Sequence, residues 1–166
     1  MPPTPRPPRD HYVWLGRVMS ACSMLEVQVG MIAWAWDTGE PWTETWSDVA
    51  GGPGAAWKRC KQVARAISET DAELGASVQQ LLDDAVPVRE DRNNFAHAVF
   101  ILDPSRAIDD QWILKSARVR EFRPLTEGRG AALVTSANQL SKRAKVLSGR
   151  VAKAAQRRAA GVESGS

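Results

Sequence analysis

The chain has 166 residues, 43% of them hydrophobic and 25% charged, and a formal net charge of +3. That is long enough to bury one hydrophobic core without staples, and the composition is neither disordered nor fibrous. Polar residues interrupt every apolar stretch before about 18 positions, so the sequence predicts no membrane-spanning helix. Cys22 and Cys60 fall on apolar helix faces, and with two histidines they show no ligand spacing. Zinc takes about four ligands, so no metal is expected, and the thiols read as reduced core residues in a cytoplasmic protein.

Residues 1–9 are rich in Pro and lack the apolar run of a signal peptide, so they read as a disordered lead-in to one domain over 10–160. Asp10 is placed to cap a first helix running to Asp37. Its stripe of Trp14, Val18, Cys22, Leu25, Val29, Ile32 and Trp36 recurs every three or four residues. Met24, Val27, Met31 and Trp34 make a second stripe, as expected of a helix with more than one packing neighbour. A loop over 38–54 carries Trp42 and Trp46, which are expected to fold back on the core.

A second helix is predicted over 55–68, with Trp57, Cys60, Ala64 and Ile67 inward. Thr70 to Glu73 has the form of a capping box opening a third helix, whose inner residues are Leu74, Val78, Leu81, Leu82 and Ala85. Pro87 should kink that helix before it resumes from Val88 to about Phe100. Asp103-Pro104-Ser105 signals a turn, and the runs 111–114 and 118–122 read as a small β-hairpin. Thr126 can cap a last helix over 130–159, and 161–166 read as a disordered tail. The expectation is an all-α fold: an antiparallel four-helix bundle with a β-hairpin inserted between its third and last long helices.

The densest chemistry lies in Arg92-Asn93-Asn94-Phe95-Ala96-His97. On a helix, Arg89, Asn93 and His97 share one face at four-residue spacing, and Arg92 sits about 100° around the axis with reach toward it. Guanidinium pairs with phosphate bidentately, and imidazole moves protons near neutral pH. The bland alternative is a packed histidine beside a surface arginine. His11, at the start of the first helix, reads as an exposed end residue.

Charge is unevenly spread. Residues 37–110 carry 14 acidic and 7 basic side chains, a net of −7, and residues 111–158 carry 12 basic and 2 acidic, a net of +10. A basic carboxyl-terminal third can attract polyanions, although a solvated helix face has the same composition.

The six-residue segment resembles the R-x(4)-H signature of HEPN-domain proteins, including the Asn that often follows the Arg, with Ala98 where many relatives have Gly. The resemblance is specific over the motif and architectural elsewhere. It implies a metal-independent endoribonuclease of toxin–antitoxin or antiviral-defence type, acting as a homodimer with a composite site and no cofactor. His97 would be the general acid/base, Arg92 would stabilise the transition state, and Asn93 would orient the imidazole or hold a phosphate oxygen. Arg89, with Lys142 and Arg143 of the basic last helix, would bind RNA phosphates. An antitoxin or defence-system protein is the implied further partner, and a membrane is not. A non-catalytic HEPN-like dimer that binds RNA, nucleotide or a partner is the alternative.

Overall fold

The computed structural model describes residues 9–40, 53–103, 105, 112–116 and 125–163. Among the described residues, five α-helices and two strands follow one another: α1 (Arg9–Thr38), α2 (Pro53–Ser68), α3 (Ala72–Asp84), α4 (Val86–Ala96), β1 (Ala98–Leu102), β2 (Trp112–Ser116) and α5 (Glu127–Glu163). The protein is mostly helical, with one small antiparallel sheet. The Pro-rich residues 1–8, the Trp42 and Trp46 loop and the predicted strand 118–122 lie outside the described residues.

The chain divides into two compact units. One comprises residues up to Cys22 with Pro87–Ser136, and the other comprises Ser23–Val86 with Ala137–Ser166. In the second unit the main predicted stripes lie in the core, whereas Met24 of the second α1 stripe is exposed and Val27 and Trp34 are half-buried. Leu25, Val29 and Ile32 of α1, Cys60, Val63 and Ile67 of α2, and Leu74, Val78 and Leu81 of α3 are all buried, as are Ala144 and Val151 of α5. The cap of α3 is Asp71, not Thr70: the Asp71 carboxylate accepts from the Leu74 amide at 3.0 Å, and the Thr70 hydroxyl donates back to the Ile67 carbonyl. Carboxylate caps of this kind are worth about 1 kcal/mol. Gly39, at φ +70°, ends α1 in the left-handed conformation that glycine adopts at little cost. Its carbonyl accepts from Gln156 of α5 at 2.7 Å, and the Arg158 guanidinium lies over the Trp36 ring at 4.1 Å.

The first unit holds the sheet. β1 pairs antiparallel with β2, from Ala98 opposite Ser116 to Leu102 opposite Trp112. This pairing corrects the expectation of a helix through Phe100. The first strand of the predicted hairpin is present, and it pairs with Ala98–Leu102, whose first three residues were expected to end the third helix; the expected second strand, 118–122, lies outside the described residues. The Leu125 amide donates to the Leu114 carbonyl at 2.8 Å, tying the entry of α5 to β2. Thr126 then caps α5 as predicted, its hydroxyl accepting from the Arg129 amide at 3.2 Å. α5 continues to Glu163, so residues 161–163 are helical and not tail.

α1 is long and apolar enough to cross a membrane by length and composition, at a mean hydropathy of 1.4, contrary to the sequence reading. However, 56% of that apolar window is buried inside the protein, as in a core helix. Cys22 and Cys60 are both buried, and burial pushes the Cys60 thiol up to about 12.

Candidate functional site

Pro87 falls in the first turn of α4, where its missing N–H breaks no helical bond, so the chain interrupts at Ala85 and restarts at Val86. α4 is then seated by Phe95, whose ring meets Trp14 of α1 edge-on at 5.6 Å and is almost fully buried. Gly130 of α5 lies against the same indole, where a Cβ would come within 3.0 Å of the ring. Asp91, on α4, takes a two-pronged hydrogen-bonded ion pair from Arg129, whose Nε lies 3.4 Å from Oδ2. Both side chains are about one-third exposed, so the pair is worth on the order of 1 kcal/mol. An aromatic contact and an ion pair therefore hold the motif helix.

The helix ends one residue before the motif does. Ala96 is the last residue of α4, and His97 occupies the turn into β1. This corrects the expectation of a helix through Phe100. Four-residue spacing nevertheless survives in the backbone, because the His97 amide donates to the Asn93 carbonyl at 3.1 Å. The His97 side chain is exposed, while Arg89, Arg92 and Asn93 are half-buried. Arg92 reaches toward Asn93, as its side-chain length allows, and its Nη1 donates to the Asn93 Oδ1 at 3.2 Å. The amide therefore orients the guanidinium, a role that the sequence reading had assigned toward the imidazole or a phosphate. Val99, four residues beyond Phe95, is an exposed strand residue.

Lys142 and Arg143 belong to the other unit, on α5, where both are exposed. Arg143 donates to Asp84 of α3 at 2.5 Å. The structure thus brings Arg89, Arg92, Asn93 and His97 into one unit and sets Lys142 and Arg143 in the second.

His11 is half-buried, with its ring 6.1 Å from Trp14 and 5.9 Å from Phe100, so the expectation of an exposed end residue is corrected. The Asp91–Arg129 pair was not anticipated, since a contact across 38 residues leaves no local signal in sequence. Among the described residues, no cluster of three or more His, Cys, Asp or Glu side chains is placed to hold a metal. No protein-family model matches the chain, nor does any curated protein or solved structure.

Proposed function

We propose that the chain is a metal-independent endoribonuclease of the HEPN type, working in the cytoplasm as a homodimer whose helices form an antiparallel four-helix bundle. The observation that carries this reading is the arrangement over the last turn of α4 and the residue that follows it. A guanidinium is held by a neighbouring amide, and an imidazole stands open to solvent just past the helix end. In the proposed reaction, one His97 imidazole removes the ribose 2′-hydroxyl proton. The 2′-oxygen attacks phosphorus, and the bond to the 5′-oxygen breaks. The partner copy's imidazole, protonated, gives its proton to the leaving 5′-oxygen. The products are a 2′,3′-cyclic phosphate and a 5′-hydroxyl end. Arg92 neutralises the charge that builds on the phosphorane oxygens, Asn93 keeps that cation aimed, and Arg89 holds a neighbouring phosphate. DNA lacks the attacking hydroxyl and is spared.

The test is incubation of purified wild-type and His97→Ala protein with total RNA, reading the chemistry of the fragment ends. The expected result is cyclic-phosphate ends from the wild type, unchanged by EDTA, and intact RNA with the variant. Equal cleavage by both proteins overturns the assignment. The engagement of Arg92 by Asn93 also suits a second reading, in which the network holds an RNA or nucleotide phosphate without turnover. Tight RNA binding with no cleavage by the wild type would favour it.

A further inference from the structure

In the Ser23–Val86 and Ala137–Ser166 unit an open groove of about 710 Å³ lies between α3 and α5. Its α5 wall presents Lys142, Val146 and Arg150 at four-residue steps, a cation, an apolar side chain and a cation in line. At 1.5 Å rise per residue that line spans about 12 Å. Val146 is 66% exposed, the most open of the large hydrophobic side chains among the described residues. The facing α3 wall carries the small Ala76 and Ser77 between Glu73 and Gln80. Such a wall leaves room for a second helix to lie close.

From this pattern we infer that the α3–α5 groove is a docking site for an acidic amphipathic helix of a partner protein. Its matching ridge carries an apolar side chain with a carboxylate four residues away on either side. The apolar residue would pack on Val146 and the buried Leu147 edge, and the carboxylates would meet Lys142 and Arg150. Charge complementarity selects this occupant over a nucleic acid. The lining sets Lys142, Arg143 and Arg150 against the carboxylate of Glu73, which pairs with Arg150 at 3.6 Å while Asp84 pairs with Arg143, and the exposed Val146 between Lys142 and Arg150 offers an apolar contact that a phosphate backbone cannot use. Among the described residues, the groove lining also contains no aromatic ring on which a base could stack. The two ion pairs are solvent-exposed and weak, and a helix carboxylate can share or replace them at small cost. Recognition here is independent of the α4 motif.

The experiment uses full-length protein and a fluorescein-labelled, alanine-based helical peptide carrying Glu, Leu and Glu at four-residue steps, followed by anisotropy at low salt. The expected result is saturable binding, weakened at least tenfold by Val146→Asp and by Lys142→Glu with Arg150→Glu. A peptide with Lys in place of both Glu residues should not bind. These positions are exposed, so circular dichroism should show the variants folded. The inference is overturned if the acidic peptide does not bind, or if the variants bind it as the wild type does. It is equally overturned if a 12-nucleotide RNA displaces the peptide from this groove more tightly than unlabelled peptide does. A dimer that Val146→Asp dissociates would assign the groove to a second copy of the chain instead.

Discussion

The amide of Asn93 acts through Arg92, because its Oδ1 accepts from the guanidinium and narrows where that cation can turn. A hydrogen bond to a charged group contributes roughly 1.5 kcal/mol, about a tenfold effect if it is spent on aiming the cation at the transition state. Under the proposed mechanism, Asn93→Ala is therefore expected to lower kcat/KM for RNA about tenfold, far short of the complete loss expected in His97→Ala. Initial rates on a fluorescent RNA substrate measure both. Asp84 gives a titration to follow. Its hydrogen bond from Arg143, then that from Gln80, holds its carboxyl below the ordinary carboxylate range. Because the folded value lies below the unfolded one, the pair's contribution is present above about pH 4 and is lost as pH falls through the folded value. Arg143→Ala should move the Asp84 midpoint back up, as read by carboxyl-carbon NMR, with little change in overall stability because the side chain is open to water.

At the scale of elements, the α2–α3 connection depends on the absence of one methyl group. A Cβ on Gly75 would lie 2.1 Å from the Ser68 hydroxyl oxygen and 2.7 and 2.8 Å from that residue's backbone N and Cα. Backbone at the end of α2 cannot yield as a side-chain tip can. Gly75→Ala should cost about 3 kcal/mol through overpacking. Gly149→Ala, on α5 with open space around it, should instead be stabilising by up to about 1 kcal/mol from helix propensity alone. Urea denaturation of the two variants, one midpoint falling and the other rising, checks the pair. The helices themselves were legible in sequence because Val18, Leu25, Val29 and Ile32, or Leu74, Val78 and Leu81, mark a buried face by period alone. Ala98 to Leu102 was not. A five-residue apolar run carries no period, and following straight on from the motif helix it read as that helix's continuation. The strand pairing that decides the matter comes from Trp112–Ser116, distant in sequence. The same limit hid the ion pair from Arg129 to Asp91, whereas Arg92, Asn93 and His97 were readable because one turn of helix sets their spacing.

The whole molecule has two histidines, and only His97 lies in the motif. Cleavage by 2′-hydroxyl attack needs a base and an acid, and in the proposed mechanism the second imidazole comes from the partner copy. The consequence is stoichiometric. If both imidazoles of a pair are required, a dimer holding one His97→Ala chain is dead, and mixing equal amounts of variant and wild type leaves about a quarter of the dimers competent by random pairing. Independent sites would leave about half of the dimer's sites working under the same random exchange. The measurement mixes the two proteins at fixed total concentration, allows subunit exchange, and plots RNA cleavage against wild-type fraction. A curve falling as the square supports the shared site. A straight line means that each chain cuts alone, with water or another group serving as acid, and it removes the dimer from the mechanism while leaving Arg92 and His97 in it. Dilution of the wild type separates the cases again: a shared site loses activity per chain below the dimer's dissociation constant, and a self-sufficient one does not.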